Sequence, residues 1–255
     1  RQFLEHISYD TVKWDDDFLG DTTHGGYQTA VNGAAAVALA ITAPTAAVRS
    51  GTATMETGTD DNGYSNMSLG LHYYGVNFAV MAAIIRMDAI TSVKVECGFT
   101  DVTSGTDAGA VNALDTPTFT ATDAAVWCFD TDATLDRWQA VGVANGTAAT
   151  ALQPTVIGNF DGDAAPNAAI YELLVVMLQD GSARFLRGDM SDPALGTEAD
   201  FSRGLEITYD SNWQSGFITS TVALTPWLFV QARAGATNRI LTIDRFMAWQ
   251  RRNNS

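Results

Sequence analysis

The sequence predicts an all-β fold: an antiparallel two-sheet β-sandwich with long loops and an extended N-terminal arm. Three observations predict it. Apolar runs of strand length, such as those inside Phe78–Val102, Ala125–Asp132 and Ile240–Trp249, are bounded by Gly, Asp and Asn corners. Helix-period stretches are scarce. Charged residues make up only 17% of the 255, and Ala, Thr and Gly fill much of the remainder, which suits strands and turns better than helices.

The elements follow in order. Residues 1–28 are the most polar stretch, with Asp15-Asp16-Asp17 set between Trp14 and Phe18, and read as an arm or edge strand. The remainder, 29–255, reads as one sandwich domain, a length that single all-β domains commonly reach. Val37, Leu39 and Ile41 alternate with Ala and predict a strand. Thr52–Thr57 and Tyr64–Leu71 flank Asp60-Asp61-Asn62-Gly63 and predict a hairpin. Phe78–Val102 predicts two long strands with a short polar link, then Thr103–Thr122 a long loop. Ala125–Asp132 and Trp138–Thr147 form a further strand pair, followed by a second loop at Ala148–Pro166. Ile170–Met177 leads through the Asp180-Gly181 turn into Ala183–Leu186, and a third loop spans Asp189–Asp200. Glu206–Tyr209 is a short strand, and Thr225–Arg233 and Ile240–Trp249 form the last pair. The expected core is Val80, Ile84, Val93, Val95, Val126, Phe129, Val141, Leu173, Val175, Phe229, Ile243 and Phe246.

Charge excludes partners. Asp and Glu number 29 against 14 Lys and Arg, a net −15, and only Lys13 and Lys94 are lysines. Phosphate binding needs clustered bases, so no nucleic acid is expected, and an anionic membrane surface is excluded for the same reason. Ala34–Ala43 is apolar but far shorter than the ~20 residues of a membrane span. Cys97 and Cys128 sit inside apolar runs without metal-ligand spacing. They read as buried thiols, or as a bridge if their strands are neighbours.

No catalytic constellation emerges. Asp130-Thr131-Asp132 and Asp161-Gly162-Asp163 are oxygen-rich and make Asp130, Asp132, Asp161 and Asp163 the Ca²⁺ candidates. Neither has the full calcium loop, so the competing reading is a turn with solvated carboxylates, and no cofactor is expected. His6, His24 and His72 are too widely spaced for zinc, and no serine lies in a Gly-x-Ser-x-Gly elbow. Arg187-Gly188-Asp189 spells an adhesion tripeptide but reads as a turn out of a strand, and Asn145-Gly146-Thr147 as another turn. Tyr73, Tyr74, Trp127, Trp138 and Trp213 are either core or a sugar-stacking platform. Trp213, in the polar stretch Asp210–Ser215, is the candidate for an exposed, glycan-stacking ring.

The strand end at Val93–Asp101 (VKVECGFTD), Val126–Asp132, Trp138–Asn145, Asp180-Gly181 and Leu241–Trp249 come in an order that resembles the concanavalin A-like jelly roll of structural proteins in tailed bacteriophages. Trp14–Asp21 (WDDDFLGD) resembles the first strand of such proteins. The resemblance implies a virion component on the outer surface of the capsid, a decoration or cement protein contacting the major capsid protein or other virion proteins. It also implies a homo-oligomer, most simply a trimer. Trp14, Asp15, Asp16, Asp17 and Phe18 of the arm are the expected partner contacts. The alternative it implies is a carbohydrate- or receptor-binding module of a tail or fibre. Glycosidases of this fold carry alternating acids on one strand. No Glu-x-Asp-x-Glu or Glu-x-Asp-x-x-Glu occurs here, so no enzyme activity is expected.

Overall fold

A computed structural model describes residues 11–19, 24–42, 51–103, 108–149, 166, 168, 170–190, 205–235 and 237–252. Strands β1 (Thr11–Asp16), β2 (Gln28–Asn32), β3 (Val37–Thr42), β4 (Thr52–Glu56) and β5 (Tyr64–Ser68) come first. A 3-10 turn at Gly75–Asn77 then leads into β6 (Ala79–Met87) and β7 (Val93–Thr100). Next come β8 (Val111–Ala113), β9 (Thr118–Phe119), β10 (Ala124–Asp130), β11 (Gln139–Ala144) and β12 (Thr147–Ala148). The remainder holds β13 (Tyr171–Gln179), β14 (Ser182–Met190), β15 (Leu205–Asp210), β16 (Gln214–Ser215), β17 (Thr225–Ala232) and β18 (Ile240–Arg251).

These strands make a two-sheet antiparallel sandwich, the predicted class. The larger sheet runs β15-β14-β13-β6-β18-β4-β3, with β1 also on β18 and β16 also on β14. The smaller runs β12-β11-β10-β7-β17-β5-β2, and β8 and β9 form a separate hairpin. Side chains alternate across each strand, so every second residue enters the core between the sheets. Met81, Ala83 and Ile85 of β6 and Leu174 and Val176 of β13 thereby meet Val95 and Phe99 of β7, Trp127 of β10 and Leu228 of β17. The indole N–H of Trp127 crosses the gap to donate to the carbonyls of Val175 and Leu186, both at 3.2 Å. Every expected core residue is buried except Val175, which is half-buried on the outer face.

Two expected hairpins are corners. β4 lies in the larger sheet and β5 in the smaller, so Asp60–Gly63 carries the chain between sheets. β17 and β18 are likewise divided between the sheets. The Asp180-Gly181 hairpin is as expected: both residues are left-handed (φ 46 and 80) and β13 pairs with β14 along its whole length. The long loop after β7 carries the β8–β9 hairpin. The second and third expected loops lie mostly outside the described residues.

Candidate functional site

The outer face of the smaller sheet is filled by the chain itself over β7, β10 and β11, while β2 at its edge is exposed. Lys94 and Glu96 point outward from β7 and form an ion pair at 2.9 Å with no solvent exposure. The Lys94 ammonium donates to the carbonyls of Ala108 and Val111. Glu96 accepts the backbone N–H of Ala110 (2.9 Å) and of Val111 (3.0 Å) and the indole N–H of Trp227 (2.9 Å). Val111 and Leu114 then pack on Val126, Cys128 and Val141.

The predicted site residues take varied places. Asp130 is buried and accepts the guanidinium of Arg233 through both oxygens, one contact at 2.8 Å. Asp132 lies 3.5 Å from the same guanidinium, and its backbone N–H donates to Asp130. A side-chain cation therefore already holds this pair. Asp161 and Asp163 lie outside the described residues. Among the described residues no three His, Cys, Asp or Glu side chains converge as a metal set.

The described part of the expected arm is built into the sandwich. β1 pairs with β18 from Thr11↔Arg251 to Asp16↔Phe246. Trp14 donates to the Tyr27 hydroxyl at 3.0 Å, and that hydroxyl donates to Asp16 at 2.9 Å. Phe18 is buried and stacks on Tyr27. Asp15 receives both Arg245 contacts at 3.0 Å. Trp14, Asp15, Asp16 and Phe18 thus spend their contacts within the chain, and Asp17 is exposed.

The Arg187-Gly188-Asp189 tripeptide lies within β14, not in a turn. Arg187 is 3% exposed and donates to Glu172 at 3.0 Å, so its guanidinium belongs to the core. Tyr73, Trp127 and Trp138 are also core, and burial pushes the Tyr73 phenol up to about 12. Trp127 pairs with Cys97, and Cys128 with Glu96; successive residues face opposite ways, so the two thiols lie on opposite faces of the sheet and are free.

The outer face of the larger sheet is different. Across β14, β13, β6, β18 and β1 the register aligns Leu186, Val175, Ala82, Met247 and Asp15 in one row. The next row is Arg184, Met177, Val80, Trp249 and Lys13. Ala82, Ile84 and Leu173 form an apolar cluster there, with Tyr171, Val175 and Met247 half-buried against it, and Ile207 is 38% exposed. Arg184–Asp210 and Arg245–Asp15 ion pairs rim this face. The continuous apolar runs of β6 and β13 were the available signal: strands with one solvated face alternate.

At one end of that face stands an aromatic group. Trp213 is 37% exposed, as the sequence predicted, and its ring centroid lies 6.0 Å from Phe78. Phe78 also meets Trp249 at 5.5 Å and lies 5.0 Å beneath the guanidinium carbon of Arg251. Phe78 adopts left-handed backbone (φ 52, ψ 78), a conformation uncommon for an aromatic residue. Sequence reasoning missed Phe78, Trp249 and Arg251, whose convergence depends on register.

No protein family and no curated protein matches the sequence. Solved structures do. The carbohydrate recognition domain of Emp47p superposes with a TM-score of 0.51 at 9% identity, covering 95% of this chain and 97% of that one. Peanut lectin in complex with a nine-residue peptide gives 0.51 at 8%, covering 94% and 97%. Lectin II from Ulex europaeus gives 0.50 at 8%, covering 95% and 99%. At such identities the likeness is one of fold: a lectin-type, concanavalin A-like sandwich.

Proposed function

We propose that the chain is a non-enzymatic structural subunit of a virion, a decoration or cement protein that docks onto the outer capsid surface through the outer face of its larger sheet. The apolar band from Leu186 and Val175 to Met247 carries this reading. Its Met, aromatic and Arg content, with compensated ion pairs at the rim, is the composition of a protein interface core. On the opposite sheet the middle strands are already covered by the chain's own segment at Ala110 and Val111, which leaves the larger sheet's outer face as the docking candidate. The partner is the major capsid protein or a neighbouring virion protein. A homo-oligomer, a trimer in the simplest case, follows from the resemblance of the sequence to phage structural proteins. A net charge of −15 suits the outside of a particle, because packaged DNA would repel the chain on the inside.

The test is rebinding of purified protein to particles that lack it. Val175→Glu and Met247→Glu place charge on the band without entering the core, and should keep the strand-rich circular dichroism spectrum while abolishing rebinding. Folded variants that bind like the parent would reject the docking face.

A second reading, glycan recognition by a tail or fibre module, is favoured by the exposed ring of Trp213. The fold is shared with proteins described as lectins and a carbohydrate recognition domain, and fold alone does not carry function.

A further inference from the structure

The geometry points to the corner formed by Phe78, Trp213, Trp249 and Arg251 as a binding site for a saccharide that bears a carboxylate, such as a uronic acid residue in a polysaccharide. This inference rests on the glycan reading and adds its ligand class and its residues.

Three aromatic rings meet here at an accessible surface. Phe78 is central, with Trp213 at 6.0 Å and Trp249 at 5.5 Å, both tilted to it. Trp213 exposes more than a third of its surface, Phe78 and Trp249 are half-buried, and Arg251 lies over the Phe78 ring, so Trp213 presents the open ring of the group. A pyranose presents a flat face of C–H groups that packs against such rings, while its hydroxyls stay at the edge. The main core cluster of the sandwich includes none of the three rings.

The backbone supplies an independent observation. The left-handed conformation of Phe78 costs free energy for a side chain of its size. Strain of this kind persists where surrounding structure holds it and concentrates at ligand sites. Here the Phe78 N–H donates to Gly75 at 3.1 Å, closing the 3-10 turn, and β6 begins at the next residue. Asn212, also left-handed (φ 55), immediately precedes Trp213.

Charge selects the ligand class. Arg184, Arg187, Arg233 and Arg245 are each neutralised by a carboxylate. Among the described residues none pairs with Arg251, which is exposed and lies over the Phe78 ring. In a chain of net charge −15, a guanidinium with no carboxylate partner among the described residues, set beside exposed aromatic surface, favours an anionic ligand. The planar guanidinium fork matches a carboxylate in two parallel hydrogen bonds.

The experiment is titration of the full chain with oligosaccharides of glucuronate, galacturonate and mannuronate, and with neutral oligosaccharides of the same length, by calorimetry. Trp213→Ala and Arg251→Gln are exposed changes, and near-ultraviolet circular dichroism checks that each folds. The expected result is binding of an acidic oligosaccharide, weakened at least about tenfold by either change. Trp213→Ala should weaken acidic and neutral oligosaccharides alike, while Arg251→Gln should weaken the acidic ones by the larger factor. Acidic binding indifferent to Arg251→Gln would overturn the inference. Equal binding of neutral and acidic sugars, lost on Trp213→Ala, would overturn the carboxylate preference and leave the glycan reading standing. Binding of no oligosaccharide would overturn both.

Discussion

Glu172 accepts hydrogen bonds from the Trp138 indole at 3.1 Å and from Arg187, yet burial still pushes its carboxyl above the ordinary 4.5. Desolvation outweighs the pull of Arg187 and Trp138, so this ion pair is costly to keep and more costly to break. Glu172→Ala removes the buried carboxylate nearest Arg187, leaving Asp189 at 3.3 Å as an acidic partner, and should destabilise by about 3–5 kcal/mol in urea denaturation. The double change Glu172→Leu with Arg187→Met should recover most of that loss, and a double variant as unstable as the single one would refute this account. The rim pairs behave oppositely. At Asp210 the Arg184 hydrogen bond, and at Asp15 the Arg245 and Lys13 contacts acting against burial, hold the carboxyls below the ordinary 3.8. A depressed folded value means stability that is present above 3.8 and lost as pH falls through the lowered values. Asp15→Asn and Asp210→Asn should therefore flatten the acid limb of the stability profile. Chemical denaturation at a series of pH values measures it, and an unchanged limb would count against the pairs.

The segment that caps the smaller sheet depends on a glycine. Gly109 has φ +69, and a methyl group there would lie 2.6 Å from the Glu96 carboxylate. Gly109→Ala should cost about 1–3 kcal/mol and raise amide exchange at Ala110 and Val111, whose N–H groups Glu96 accepts. Unchanged protection at these amides would show that the cap is held some other way. The sequence revealed that strands lie on either side of this segment but not that it folds back, because Lys94 and Glu96 in an apolar run carry no mark of their partners. The same limit explains the two hairpins that proved to be corners. Asp180-Gly181 and Asn62-Gly63 have similar turn chemistry, and both sites contain left-handed residues. Turn chemistry fixes local backbone and not which sheet receives the next strand. A bulge in β18 between Ile243 and Arg245 shifts the pattern, so Leu241 and Ile243 face inward before it and Phe246 and Ala248 after it. Trp213 was legible as exposed from its polar surroundings. Trp249 was not, because its outward face depends on that bulge.

At the scale of the whole molecule the chain closes on itself: β1 from the start of the described chain pairs with β18 near its end. This pairing makes the first strand part of the cooperative unit, unlike an arm that reaches a neighbour. Trp14 packs against the main core, Phe18 is fully buried, and the paired β18 residues Phe246 and Ala248 sit inside that core. Losing one buried aromatic side chain costs about 3–5 kcal/mol, and a domain holds only about 5–15 kcal/mol in all. Deleting residues 1–18 removes Trp14 and Phe18, leaves Tyr27 with Phe246 as its remaining ring contact and without Trp14 and Asp16, and opens one edge of β18. The loss is comparable with the whole stability, so the shortened chain should melt far below the parent and be digested quickly by protease, and it should fail to dock on particles because it is unfolded. Val175→Glu and Met247→Glu should fail to dock while melting like the parent, which separates the docking face from the first strand. If the deletion variant instead melts with the full chain and only particle binding is lost, residues 1–18 act as a contact arm and the role assigned to the larger sheet's outer face falls to them.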